Sequence, residues 1–149
     1  MEKNKFKRIP VFDISLETKE KEFVNACLDT SFIGQGSYVK DFEKKFSNFV
    51  NCDYGITTTS GTTALHLACK TLGIKKEDQV LVSSSTNMAC AFSIDYCGAI
   101  PIPIDIDKET WQMDVSEIEK KINKKTKAIM VVHLFGHPVD MDPVLKISK

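Results

Sequence analysis

Short β-branched or apolar runs alternate with longer segments whose apolar residues recur at helical spacing, and this alternation constrains the fold more than any other feature. Four runs are predicted to be strands, over residues 54–59, 79–83, 100–106 and 127–134. Four helices are predicted over residues 17–29, 38–50, 62–72 and 87–96. A fifth is predicted to begin after an N-cap at Asp114, and a sixth to begin with an N-cap at Asp142. Strands that alternate with helices favour an α/β fold with a mostly parallel sheet.

The third and fourth strands and the last helix carry further signals. Pro101 and Pro103 suit a sheet edge or the start of a strand better than the centre of a sheet. The nearly all-apolar run 127–134 is typical of a parallel strand that is covered on both faces. Asp142 followed by Pro143 predicts the start of a helix. Because the sequence stops about two turns into that helix, we expect the chain to be a fragment of a larger domain.

The predicted helices also carry end signals and apolar faces. Gly73 and Gly98 are predicted to end the helices that precede them. The second helix places Phe42, Phe46 and Phe49 at helical spacing, so these rings are predicted to be core.

Composition narrows the functional classes. The chain has 149 residues, 20 Lys+Arg against 20 Asp+Glu and 42% apolar residues, which indicates a globular protein. The zero formal charge argues against nucleic-acid binding, and no apolar run is long enough to cross a membrane. No signal-peptide stretch follows the basic segment 1–8, and the five cysteines form no C-x-x-C pair. We therefore expect a cytoplasmic protein whose cysteines are mostly buried, without a disulfide framework.

A phosphate-binding turn is predicted where the first strand meets the next helix. Ser60, Gly61 and Thr62 stand at this junction, where the first N–H groups of a helix lack internal partners and its dipole favours an anion. The turn lacks the lysine of a P-loop and the spacing of a dinucleotide fingerprint. The alternative is that Ser60 or Thr62 only caps the helix.

A second polar stretch, residues 83–87, follows the second predicted strand. Ligands bind at the carboxyl ends of strands in open α/β sheets, so this stretch is expected to face the same crevice as the phosphate turn. An ordinary turn followed by a helix cap is the alternative. His133 and His137 are four residues apart, but Gly136 and Pro138 break any helix between them, and no metal site is predicted.

Six segments in order carry a resemblance to a known family. They are FIGQGSYVKDFE (32–43), SGTTALHLA (60–68), DQVLVSSST (78–86), GAIPIPIDID (98–107), IEKKINKKTKAI (118–129) and VHLFGHPVDMD (132–142). In these segments, which together extend over nearly the whole chain, the sequence resembles the amino-terminal part of the DegT/DnrJ/EryC1/StrS aminotransferases. Those enzymes depend on pyridoxal 5′-phosphate (PLP).

The resemblance implies a fold and a set of site residues. Residues 1–149 would form the amino-terminal portion of the large domain of a fold-type I PLP-dependent transferase, truncated after about four strands. Ser60, Gly61 and Thr62 match the family's phosphate-binding turn. Asn87 stands where the family has an aromatic residue that covers the cofactor ring. The acid that binds the pyridine nitrogen and the Schiff-base lysine are expected beyond Lys149, so no catalytic residue is assigned within the chain.

The resemblance also implies a function. The full enzyme would transfer an amino group, from glutamate, to a nucleotide-linked keto-sugar for surface polysaccharide, and would act as a homodimer. Without the later strands the chain would expose apolar helix faces, so we expect it to be inactive alone, and poorly soluble or oligomeric unless a complementary carboxyl-terminal piece joins it. Two alternatives stay open: a non-catalytic relative that binds or regulates a full-length partner, and a PLP-dependent sugar dehydratase.

Overall fold

The computed structural model describes Pro10 and residues 12–149. The basic segment 1–8, on which the prediction about secretion rests, lies outside these residues. The described residues up to Ile56 form one unit and Thr57–Lys149 form a second. Within the described ranges, no helix is long and apolar enough to span a membrane.

The first unit contains two helices, α1 (Thr18–Asp29) and α2 (Ser37–Phe49). α1 begins at a capping box, in which the Glu17 N–H donates to Glu20 Oε2 at 2.9 Å. None of the side chains of α1 is buried, and in α2 only Ser47 is buried. The unit therefore has two helices but almost no interior.

The aromatic stripe of α2 is exposed. Phe42, Phe46 and Phe49 are 56%, 51% and 86% exposed, and the first two rings stack with centroids 5.7 Å apart. The prediction that these rings are core is wrong for this chain, because helical spacing identifies a shared face without supplying the layer that would cover it. The expectation that apolar helix faces lie bare is confirmed here.

The second unit is a parallel sheet with flanking helices. Its strands are β1 (Gln79–Ser83), β2 (Ile100–Ile104) and β3 (Thr126–Met130), in the spatial order β2-β1-β3. Its helices are α3 (Gly61–Thr71), α4 (Ala89–Asp95), α5 (Ile118–Lys121) and α6 (Met141–Ile147). Short 3₁₀ turns cover Val115–Glu117 and Leu134–Gly136. The predicted α/β class is confirmed.

Apolar side chains cover both faces of this sheet. Along β1, Val80 and Val82 belong to one cluster and Leu81 to the other, as the two-residue period of a strand requires. The first cluster adds residues from α3, α4 and their connections: Cys69, Ile74, Cys90, Ile94, Cys97 and Ala99. The second adds Ile104, Met113, Ile118, Val139 and Val144. The central strand is thus buried on both sides, which holds the carboxyl edge of the sheet in place.

The predicted strand over residues 54–59 does not form. Among the described residues only three segments pair as strands, and Tyr54 and Ile56 are 86% and 74% exposed. A strand needs a neighbour for its backbone N–H and C=O groups, and none of the three strands pairs with this segment. The predicted count of four strands is therefore corrected to three.

The strands end earlier than predicted, and α4 begins later. β2 ends at Ile104 and β3 at Met130, rather than at residues 106 and 134. α4 begins at Ala89, because Asn87 Oδ1 accepts the Ala89 N–H at 2.9 Å, a bond typical of a residue just outside a helix.

The last helix has a different cap from the predicted one. Asp140 Oδ1 accepts the Asp142 N–H at 3.2 Å, so Asp140 caps α6 and Pro143 occupies its third position. Proline is tolerated there because the first N–H groups of a helix have no internal partner. The predicted cap at Asp114 is confirmed, since its Oδ1 accepts the Ser116 N–H at 2.9 Å.

Three other sequence predictions are confirmed. Gly73 adopts φ +75° after α3, and its N–H bonds to Lys70 O at 3.0 Å while Ile74 N–H bonds to Cys69 O at 3.0 Å, the pattern of a Schellman cap. Gly98 ends the helix region of α4 with φ +73°. The proline-bearing β2 is an edge strand of the described sheet.

The thiols of this chain are expected to react with a thiol reagent in two groups. Cys69, Cys90 and Cys97 are buried, whereas Cys52 is exposed and Cys27 is partly exposed. Burial, together with neighbouring thiols, raises the pKa of Cys69, and the thiolate is the reactive form. We expect Cys52 to react first and the three buried thiols to react only on unfolding, as followed by absorbance with an aromatic disulfide. In a Cys52→Ser control, Cys27 is the one thiol expected to react before unfolding, and rapid reaction of all five thiols in the unsubstituted chain would contradict the fold.

Candidate functional site

The amino terminus of α3 is closed by a reciprocal pair of hydrogen bonds. Ser60 Oγ accepts the Thr63 N–H at 3.2 Å, and the Ser60 N–H donates to Thr63 Oγ1 at 3.0 Å. Thr63 Oγ1 in turn donates to the Ser60 carbonyl at 2.8 Å. Ser60 is therefore the N-cap of the helix, so the capping alternative holds for its side chain.

The next two residues leave donors available in front of the helix. Among the contacts of the described residues, no acceptor bonds the N–H of Gly61 or Thr62. A Cβ built on Gly61 would meet no atom within 4 Å, so the space beside this glycine is open. The eleven-residue helix adds a dipole that favours an anion at this end. A phosphate group fits this arrangement, and the assignment of Ser60, Gly61 and Thr62 to cofactor binding stays a prediction.

The polar stretch after β1 is held by local hydrogen bonds. Ser83 is buried and its hydroxyl donates to the Ser85 carbonyl at 3.2 Å, while Thr86 Oγ1 lies 3.3 Å from Cys90 Sγ. The acceptor atom of Asn87 is occupied by the Ala89 N–H. Asn87 is exposed, and its amide donors have no partner among the described residues. Asn87 can therefore donate hydrogen bonds to a ligand, whereas an aromatic residue at this position would stack on it.

A cavity of about 290 Å³ lies at the carboxyl end of β1. Its polar lining comes from Ser83, Ser84, Thr86 and Asn87, and Pro101 and Pro103 of β2 form part of its wall. Residues 60–62 do not line it. The expectation that the two polar stretches face one crevice therefore stays a prediction.

The turn after β3 has an unusual backbone. Phe135 adopts φ +54° and its ring is 87% exposed. His133 Nδ1 accepts the Val139 N–H at 3.0 Å, which fixes that imidazole beside the turn. Within the part of the chain that the structure describes, no group of three His, Cys, Asp or Glu residues is arranged to hold a metal ion.

A carboxylate organises the connection after β2. Asp107 Oδ1 accepts the Thr110 N–H at 2.8 Å, the Thr110 hydroxyl at 2.9 Å and the Glu109 N–H at 3.1 Å. These bonds, above all the one from the Thr110 N–H, hold the pKa of Asp107 below its usual value. The connection between β2 and α5 is thus a defined turn at neutral pH.

Gln112 is a residue of this region that no sequence signal singled out. It is 4% exposed, its Nε2 donates to the Leu134 carbonyl at 3.2 Å, and its Oε1 accepts the Leu134 N–H at 2.9 Å. These two bonds join the connection after β2 to the turn after β3. A contact over 22 positions leaves no local pattern in a single sequence.

Comparison with known proteins gives a family match over most of the chain. The model of the DegT/DnrJ/EryC1/StrS aminotransferase family matches residues 15–149. A GDP-perosamine synthase of Escherichia coli O157:H7 is 51% identical over 144 residues, which cover 96% of this chain and 40% of that protein. The chain therefore spans about two fifths of the length of this relative.

Solved structures show the same fold. Spr1654 of Streptococcus pneumoniae, assigned as a sugar aminotransferase and solved in its PMP form, aligns with a TM-score of 0.87 at 29% identity and covers 93% of this chain and 35% of its own. A GDP-4-keto-6-deoxymannose-3-dehydratase with a trapped PLP–glutamate geminal diamine aligns with a TM-score of 0.85 at 26% identity, covering 94% and 38%. The predictions of the family, of its PLP-dependent fold and of PLP as its cofactor are confirmed.

Proposed function

The chain belongs to the DegT/DnrJ/EryC1/StrS aminotransferase family, and we propose that it is the amino-terminal portion of the large domain of a PLP-dependent nucleotide-sugar aminotransferase. The observation that carries the proposal is the 51% identity to a GDP-perosamine synthase along 96% of the chain. This relative favours a GDP-linked keto-sugar as the substrate. The geminal diamine in the dehydratase structure favours glutamate as the amino donor.

The α3 amino terminus supports a role in cofactor binding. The free N–H groups of Gly61 and Thr62 and the helix dipole would hold the phosphate of PLP, and the Ser60–Thr63 capping pair would keep these donors in place. Bound PLP supplies an electron sink for the chemistry at the amino-bearing carbon. Asn87, in the polar stretch that follows β1, would contribute its amide donors near the cofactor rather than an aromatic surface.

The edge of the sheet supports the proposal that the domain continues beyond this chain. β3 is an edge strand of the described sheet, and a cavity of about 190 Å³ beside it is lined by Ala128, Ile129 and the end of α6 at Ile147 and Ser148. After α6, a further parallel strand on β3 would complete another β-α-β unit. We propose that the remainder of the large domain and the small domain supply the acid and the lysine, that this chain alone is inactive, and that the complete enzyme is a cytoplasmic homodimer.

A PLP-dependent sugar dehydratase is the second candidate, favoured by the TM-score of 0.85 to such an enzyme. The two reactions differ in the fate of nitrogen. In transamination the amino group of glutamate moves to the carbonyl carbon of the sugar and glutamate becomes 2-oxoglutarate. In dehydration the sugar loses a hydroxyl group and retains no nitrogen.

Transfer of labelled nitrogen tests the proposed function. The complete protein, incubated with PLP, ¹⁵N-glutamate and a GDP-linked 4-keto-6-deoxy sugar, is expected to give an amino sugar that carries ¹⁵N in mass spectrometry. A deoxygenated product without ¹⁵N would assign the dehydratase instead. Absence of either product, with a gain in the activity of a full-length relative on mixing, would assign the non-catalytic binding role.

A further inference from the structure

Gln112 connects two loops at the carboxyl edge of the sheet. It follows β2, whereas its partner Leu134 begins the Leu134–Gly136 turn after β3. The side-chain amide of Gln112 bonds both backbone groups of Leu134, as donor to the carbonyl at 3.2 Å and as acceptor from the N–H at 2.9 Å. Inside the turn, the same carbonyl also accepts the His137 N–H at 3.1 Å. A single buried side chain thus pairs with the backbone N–H and C=O groups of the turn, as the backbone of a neighbouring strand does in a sheet.

The Leu134 backbone fixes the orientation of this amide. If the amide were reversed, its NH₂ would face the Leu134 N–H and its oxygen would face the Leu134 carbonyl. Gln112 is 4% exposed, so water has little access to replace these bonds. Removing the amide would leave the Leu134 N–H without its partner and would leave the Leu134 carbonyl with the His137 N–H alone. An unpaired backbone donor in a buried place costs more free energy than the bond itself contributes.

The turn that Gln112 holds is strained and presents an aromatic ring. Phe135 is a non-glycine residue with φ +54°, a backbone conformation that persists where the surroundings impose it. Its ring is 87% exposed, although aromatic rings favour apolar contact. The turn follows β3 at the edge of the sheet where ligands of parallel α/β folds bind.

We propose that Gln112 is a positioning residue of the active site: through Leu134 it holds the Leu134–Gly136 turn so that Phe135 faces the nucleotide-linked sugar. Gln112 itself does not touch the substrate. This inference rests on the proposed function, because the substrate class comes from there. It predicts that the amide of Gln112 acts on substrate binding and not on the phosphate donors of α3, which lie on a separate element.

Two substitutions at Gln112 separate its hydrogen bonds. Gln112→Met keeps the length of the side chain and removes both bonds. Gln112→Glu keeps the acceptor for the Leu134 N–H but places an oxygen opposite the Leu134 carbonyl, unless the carboxyl group is protonated. Gln35 is exposed in the loop before α2, and Gln35→Met and Gln35→Glu are the matched controls.

In the complete enzyme, Gln112→Met is expected to speed amide hydrogen exchange at Leu134. It is also expected to raise KM for the GDP-linked sugar by up to about 100-fold, the loss that a misplacement of about 1 Å can cause. The dissociation constant of PLP is expected to stay unchanged. For Gln112→Glu, the loss is expected to shrink as the pH falls, because the protonated carboxyl can donate to the Leu134 carbonyl. The Gln35 variants are expected to match the unsubstituted enzyme at every pH.

Phe135→Ala keeps the test decisive if Gln112→Met fails to fold, since the ring is exposed. It is expected to raise KM without faster exchange at Leu134. An unchanged KM in this variant, or equal KM values in Gln112→Met and Gln35→Met, would overturn the inference and leave the aminotransferase in place. An unsubstituted enzyme that transaminates no nucleotide-linked keto-sugar overturns the proposed function, and the role of Gln112 with it.

Discussion

The 149-residue chain alone is expected to show no transaminase turnover, and joining it to the carboxyl-terminal part of the E. coli O157:H7 GDP-perosamine synthase is expected to create an active enzyme. The chain covers 40% of that relative, and the resemblance places the acid and the lysine of the reaction in the remaining part. The test measures formation of 2-oxoglutarate from glutamate in the presence of PLP and the GDP-linked keto-sugar. The carboxyl-terminal part expressed alone is the control.

The isolated chain and the chimera also test whether the exposed apolar surfaces of the chain cause it to associate. Phe49 is 86% exposed in the first unit, and Tyr54 is 86% exposed at its end. Patches of this kind favour association, so the isolated chain is expected to elute from size-exclusion chromatography as oligomers or aggregates. A stable monomeric chain with turnover comparable to that of the chimera would falsify the proposal that residues 1–149 are incomplete.

Substitution of Gly61 by valine is expected to weaken PLP binding to the complete enzyme by about 100-fold. The added side chain would stand in the open space beside Gly61, where we expect it to crowd a phosphate group bound at the Gly61 and Thr62 N–H groups. A hydrogen bond to a charged group contributes about 1.5–3 kcal/mol, so two obstructed bonds correspond to about 3 kcal/mol or more, a factor of about 100. The dissociation constant is measured by titration of PLP absorbance.

Gly34→Val is the matched control for this substitution. A Cβ at Gly34, as at Gly61, would meet no atom within 4 Å, so neither substitution creates a clash within the chain. Inorganic phosphate is expected to compete with PLP in the unsubstituted enzyme and in Gly34→Val, and far less in Gly61→Val. Equal dissociation constants in the two variants would show that the phosphate binds elsewhere.

Local sequence patterns predict the central part of the sheet well. The run 79–83 and the prolines of 100–106 suffice to predict β1 and an edge strand, because a short apolar run and the missing proline N–H are visible in the residues themselves. Gly73 is equally clear, since few residues other than glycine readily adopt φ +75°.

The errors arise where a segment depends on distant partners. The β-branched pattern of residues 54–59 shows that this segment can form a strand, but a strand forms only where an adjacent strand pairs with its backbone. The spacing of Phe42 and Phe46 identifies a helix face, but not the layer that would bury it. Gln112 bonds a residue 22 positions away, and nothing local marks it. The sequence at Ser60 is compatible with a cap and with an anion site, and the structure shows the cap.

Sequencing the coding DNA downstream of the codon for Lys149 tests whether these residues belong to a working aminotransferase. We expect a continuous or frameshifted reading frame that encodes the rest of a DegT/DnrJ/EryC1/StrS aminotransferase, with the acidic residue followed later by the lysine. A stop codon followed by no related sequence, in the absence of a complementary piece encoded nearby, would contradict the claim that these residues are part of an aminotransferase that turns over substrate.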